Sequence, residues 1–322
     1  MSSILRRLVP GKRAKSTNVK HDYRLSRSFY LRYIVHDKSA LLGVVILTFF
    51  FGWSIAEGIL QGLAIMFNEP NLGWLILPSN PFAIHLQDRL LPPSFSQFPL
   101  NIFGTDNAGK SILSEVLYAS PRDALIGGSV LASAIIVGLL TGLTAGYRGG
   151  WIDELLMRIT DAFLSLPGLV LAIAIAVLLR GSFESLLIAL SLVWWPTYAR
   201  LFRSQALSLK TRGYVEYARL SGVRTIKILF RHLLPNSIDP VIAYGTLDFG
   251  GIILIYSGLA FLGIGVPPNY PELGEMASQG FNFFPSVWWY SIIPSVVIAL
   301  VVVGASLVGD RFQDFLEGNV MT

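Results

Sequence analysis

Gly104-Thr105-Asp106-Asn107-Ala108-Gly109-Lys110-Ser111 satisfies a phosphate-loop pattern in full. In a working loop of that kind, glycine-rich backbone amides cradle phosphates, the lysine reaches them and the hydroxyl holds Mg²⁺. That chemistry needs a buried strand running into the loop. Only Phe98-Pro99-Leu100-Asn101-Ile102-Phe103 precedes it, with a proline inside the run. No apolar strand ends in a metal-binding aspartate, and strands do not alternate with helices. The segment therefore predicts a turn followed by a short helix over about 110–118, lying on a membrane face, and no nucleotide site. The four histidines, His21, His36, His85 and His232, lack a second ligand at metal spacing. Serines are frequent in the apolar runs, but no base lies near them in sequence, which leaves an intramembrane hydrolase without its machinery. Asp161 and Asp248 are carboxylates within apolar runs, as a proton- or sodium-coupled carrier would require. The chain shows none of the internal repeats such carriers use.

The elements that would position these groups are membrane helices. Hydrophobic residues make up 53% of the 322 residues and charged residues only 14%, against about a quarter charged in soluble domains. Six runs approach the ~20 apolar residues that cross a bilayer: about Ala40–Phe67, Ala124–Gly146, Leu155–Leu179, Phe183–Phe202, Ile238–Gly265 and Trp288–Val308. Arg180-Gly181-Ser182 reads as a tight turn between two of them. The expected organisation is a basic arm over 1–39, a first span over 40–67, an outer loop over 68–122, a five-helix core over 123–309 and a tail over 310–322. The arm holds ten Lys or Arg and no apolar run, so it does not read as a cleaved leader; it reads as a solvated tail, with anionic lipid contact as the alternative. The absence of cysteine excludes disulfides and thiolate metal sites.

Basic residues stay on the cytoplasmic side. They crowd the arm and the loop over 199–232, where Arg200, Arg203, Lys210, Arg212, Arg219, Arg224, Lys227 and Arg231 face one acid, Glu216. The loop over 266–285 holds Glu272 and Glu275 and no base. An even number of spans with both termini cytoplasmic fits this pattern. The basic loop is too short and too tethered to be a nucleic-acid module.

That loop, taken as 205–236, contains a readable device. Gly213-Tyr214-Val215-Glu216-Tyr217-Ala218-Arg219-Leu220-Ser221-Gly222 predicts a short helix stopped at Gly222, the residue type that takes a left-handed cap. A second helix follows, and Pro235 is expected to end it. Ala218 and Gly222 share a small face, Val215 and Tyr217 offer apolar contact, and Glu216 a charge. Such a helix suits a cleft in a soluble partner. It equally suits an ordinary interhelical loop resting on its own protein.

Glu216-Tyr217-Ala218, Gly222, Leu234 and Pro235 fall in the register of the Glu-Ala-Ala signature of permeases from binding-protein-dependent ABC importers, departing at Tyr217 and at His232. Gly104-Thr105-Asp106 with Gly109-Lys110-Ser111 resembles an outer-loop motif of the C-type permeases of oligopeptide and dipeptide importers. Ala145-Gly146-Tyr147-Arg148-Gly149-Gly150-Trp151, Met157-Arg158, Tyr198-Ala199-Arg200 and Phe261-Leu262-Gly263-Ile264-Gly265-Val266-Pro267-Pro268 are similar too. The resemblance covers about residues 25–318. It implies an all-α, six-helix type I importer permease in a prokaryotic inner or plasma membrane, with a cytoplasmic coupling helix. It further implies a homologous second permease, two ATPase subunits and an extracytoplasmic binding protein as partners. This chain would bind no cofactor; ATP and Mg²⁺ would sit on the ATPase subunits, which alone would hydrolyse. The cargo implied is short peptides, with oligosaccharides as the alternative. Tyr256 stands where many peptide members have Glu, and Trp194 and Asp248 stand where small residues are common, which makes these three the path candidates. Asp161 occurs in the family near the cytoplasmic end of the third span, as a structural residue.

Overall fold

The computed structural model describes residues 37–95, 101–267 and 270–317; the expected basic arm lies almost wholly outside them. Nine helices are used below: α1 (Lys38–Phe67), α2 (Ile112–Arg148), α3 (Gly150–Leu164), α4 (Gly168–Leu178), α5 (Phe183–Leu209), α6 (Gly213–Leu220), α7 (Thr225–Phe261), α8 (Leu273–Phe281) and α9 (Trp288–Glu317). Five of them, α1, α2, α5, α7 and α9, are long and apolar enough to cross a membrane. The pair α3–α4 makes a sixth crossing if counted as one span, bent by 87°. The third apolar run is therefore broken where a single helix was expected. Pro167 explains it: the ring disfavours helix at Leu166, and Pro167 starts α4 as its N-cap. At 11 residues α4 extends only ~16 Å, about half the hydrocarbon thickness. Arg180 and Gly181 then turn the chain into α5 with positive φ values of 73° and 62°.

The short helix expected over 110–118 is instead the first part of α2, which runs unbroken for 37 residues through Pro121. Proline removes the bond to the carbonyl four residues earlier. That carbonyl, Leu117 O, accepts from the Trp53 indole Nε1 at 2.9 Å, and the next, Tyr118 O, accepts from Gln61 Nε2 at 3.0 Å. Two donors on α1 thus repair the helix, and their cost is offset without a break. Pro235 likewise fails to end its helix. A π turn over Leu229–Leu233 widens the ladder just before it, Asn236 Nδ2 satisfies His232 O at 2.6 Å, and α7 continues to Phe261.

The frame is centred on the crossing of α2 and α5. A Cβ placed on Gly138 would lie 2.4 Å from Tyr198 Cβ, and one on Gly142 would lie 2.2 Å from the Ala199 carbonyl oxygen. Helix association in lipid relies on such close backbone approach, because apolar burial supplies little drive there. At the α3 end of the crossing, Arg203 grips Asp153 through two bonds of 2.6 and 2.8 Å. Arg200 pairs with Asp161 at 2.6 Å, and Lys210 Nζ donates to Gly146 O at 2.9 Å. Several of the basic residues that set the expected orientation are thus also the pins that hold α3 and the base of α5 together. Asp161, partnered in this way, is not a free carboxylate for ion coupling.

Candidate functional site

The segment after α5 is held from one side and bare on the other. Val215 is 1% exposed and packs with Ile228, Leu233 and Phe202 in the core beneath. Ala218 is half-buried against the same core. The expectation that Val215 offers an outward contact is corrected by this packing. The outward face carries Tyr217 at 74% exposure and Leu220 at 75%, with Ile226 nearby in sequence at 65% and Glu216 also exposed. The stop at its end is complete. Gly222 has φ +73°, its N–H donates to Arg219 O, and the Val223 N–H reaches back to Ala218 O, both at 3.1 Å. This pair of bonds satisfies the last carbonyls of α6 and requires the left-handed residue between them. Leu234 and Pro235 lie beyond the π turn, where α7 enters the membrane region, so the signature spans two helices and the bend that joins them.

Two of the three path candidates share one cavity. Trp194 of α5 and Asp248 of α7 line a space of about 530 Å³, together with Phe163, Thr197 and Tyr244 among others. Tyr256 is elsewhere: it is 1% exposed and packs inside the chain with Ile126, Leu186 and Ile252. Two turns and a further ~80° of helix separate it from Asp248, so the two side chains leave different faces of α7.

The loop over 104–111 closes on itself rather than around a phosphate. Asp106 Oδ1 accepts from the Ala108 and Lys110 amides at 2.8 and 2.7 Å, which occupies amides a phosphate would need. The Asp106 amide donates to Lys110 O, and His85 N donates to Ala108 O. Lys110 Nζ is 3.5 Å from Glu115 Oε1, with both side chains largely buried. K110A is accordingly expected to leave nucleotide binding by the purified complex unchanged. It should lower the melting temperature of the complex, because the largely buried Glu115 loses the cation beside it. Weaker ATP binding at unchanged stability, read by equilibrium binding and melting, would restore the phosphate-loop reading.

Sequence reasoning missed a buried polar cluster. Glu57 of α1 and Asp123 of α2 are fully buried, and Glu272, the N-cap of α8, is 1% exposed. Arg122 is stacked between Phe183 and Tyr270, 4.1 and 4.2 Å from their ring centres. These residues come from four distant parts of the chain, and no local pattern marks them. Burial raises the Glu272 carboxyl from 4.5 to about 7. The folded state therefore holds a proton there that the unfolded chain releases, so stability falls as pH rises from about 4.5 to 7. E272Q is expected to flatten that part of the melting-temperature profile; an unchanged slope would remove Glu272 as its source.

Comparison with known proteins gives a consistent result. Residues 134–321 match the family described as binding-protein-dependent transport system inner membrane component. The dipeptide transport system permease protein of Alkalihalophilus pseudofirmus is 36% identical over 281 residues, 87% of this chain and 86% of that protein. The probable D,D-dipeptide transport system permease protein of Escherichia coli is 39% identical, covering 74% and 78%. The di/tripeptide transport system permease protein of Pseudomonas aeruginosa is 35% identical, covering 81% and 86%. With its apolar helices and the match across more than half its length, the chain is a multi-pass membrane protein that belongs to the family of binding-protein-dependent transport system inner membrane components.

Proposed function

We propose that this chain is the non-catalytic permease subunit of an ATP-driven importer of short peptides and forms half of the translocation path. The observation that carries the coupling role is α6: a short helix anchored inward by Val215, stopped at Gly222 and presenting Tyr217 and Leu220 outward. An ATPase subunit is the proposed occupant of that face, with Glu216, Tyr217, Ala218 and Gly222 at the contact and Leu234 and Pro235 transmitting it along α7. ATP and Mg²⁺ belong on two such subunits. A second, homologous permease completes the path, and an extracytoplasmic binding protein delivers cargo to the outer loops. Both termini are cytoplasmic, which puts α6 on the ATPase side. The peptide cargo is supported by the relatives, which are described as dipeptide, D,D-dipeptide and di/tripeptide transport permeases. Coupling requires that the contacts of α6 differ between inward- and outward-facing states, since only a differential contact shifts an equilibrium.

The oligosaccharide reading retains one observation in its favour, the Trp194 ring on the cavity wall, which can stack on a sugar. The test uses the complex captured through a tag on this chain and reconstituted in lipid with its binding protein. ATP hydrolysis is measured with panels of short peptides and of oligosaccharides. Stimulation by peptides supports the proposal, stimulation by sugars alone replaces the cargo, and absence of any ATPase subunit from the gently extracted complex rejects the machinery.

A further inference from the structure

We infer that Asp248 is a cargo-reading residue that receives the positively charged amino terminus of a peptide within the membrane. The inference rests on the peptide-importer reading above and adds to it a named group and a named chemistry.

Asp248 lies fourteen residues after Leu234 and thirteen before Phe261 on α7, or ~20 Å of helix from either point. That places it near the middle of the span. A carboxylate at that depth is costly unless it faces a cavity or a partner. Here it faces the 530 Å³ cavity, and of the residues that line this space it alone carries a formal charge. No lysine or arginine answers it, and Asp248 makes no ion pair among the described residues. The Tyr198 hydroxyl and the Trp194 indole lie beside it as hydrogen-bonding neighbours, which solvate the carboxylate without neutralising it. Apart from Thr197, the remaining wall is apolar or aromatic, with Trp194, Tyr244 and Phe163. A carboxylate set among aromatic rings is suited to an alkylammonium, which combines an ion pair with cation–π attraction. A neutral sugar gives the carboxylate no charge to pair with. A peptide with a free amino terminus brings one formal positive charge to a space that holds one negative charge.

The test uses the reconstituted complex with its binding protein, preloaded to saturation with a tripeptide or with the N-acetyl form of the same tripeptide. The parent complex is expected to carry the free-amine peptide faster. D248N should cut its transport at least tenfold, leave the N-acetyl peptide within about twofold of the parent rate, and so erase the preference. D248E should keep the preference. Equal loss of both cargoes with the subunits still assembled would overturn the inference. Loss of the second permease from the D248N complex would also overturn it, by assigning Asp248 to pairing with a basic residue across that interface. If the parent complex is stimulated by no peptide at all, the peptide reading itself fails, and that result is seen before any variant is made.

Discussion

The double variant Y217D/L220D is expected to insert normally and to lose its ATPase subunits. Both side chains are about three-quarters exposed, and neither has a structural task in this chain. Burying a large apolar side chain is worth ~1.5–3 kcal/mol, and a residue at the centre of an interface commonly costs ≥2 kcal/mol when removed. Replacing both by carboxylates adds the cost of desolvating two unpaired charges. Together these correspond to a weakening of at least ~10³-fold in docking. The measurement is co-purification of ATPase subunits through a tag on this chain, alongside insertion followed by protease protection. Undiminished co-purification would mean that α6 rests on its own protein and couples nothing.

Gly222→Val and E216K probe the same device more gently. A Cβ at Gly222 meets nothing within 4 Å, so the penalty arises from the backbone alone. At φ +73° a non-glycine residue costs ~1–2 kcal/mol, and a β-branched one is worse placed still. That strain is relieved if α6 loses its stop and changes its exit angle. Transport should fall far more than insertion in either variant; a matched fall in both would show a folding defect and nothing more.

How far the sequence reached depends on whether the cause was local. The stop at Gly222 was legible because a left-handed cap involves only the few residues around it. The unbroken passage through Pro121 was not, because the donor that replaces the missing amide, Trp53, is 64 residues from the carbonyl it satisfies, Leu117 O. The break at Pro167 is local but was masked by the continuous apolarity of the run, which reports length and says nothing about direction. Pro235 misled in the opposite sense: a π turn absorbed it. Among the path candidates, Trp194 and Asp248 proved to share a cavity, whereas Tyr256 is packed inside the chain. A tyrosine in an apolar helix gives no sign of which face it occupies until the neighbouring helices are placed. The cluster of Glu57, Asp123 and Glu272 was illegible for the same reason, since the three acids lie far apart along the chain.

A single methyl group at Gly142 is expected to disable the molecule as thoroughly as loss of its partners. Glycine-to-alanine substitution in an exposed helix stabilises by roughly 0.5–1 kcal/mol, because alanine loses less chain freedom. Gly128 provides that background on the same helix, with nothing within 4 Å of its Cβ, so G128A should be neutral or slightly stabilising. At Gly142 the added Cβ would sit 2.2 Å from the Ala199 carbonyl oxygen and 2.8 Å from Phe202 Cβ. The nearer atom is backbone, which cannot rotate aside, so α2 and α5 must separate. Overpacking of this kind costs ~1–3 kcal/mol and at times more. The separation also pulls on Arg200 and Arg203, whose ion pairs with Asp161 and Asp153 lie on the same stretch of α5. G142A should therefore melt several degrees below G128A and transport poorly even where it remains assembled, and Gly142→Val should fail to accumulate. Equal melting of the G142A and G128A complexes would mean that the two helices are not held by this crossing, and the pinned base beneath α6 would then need another explanation.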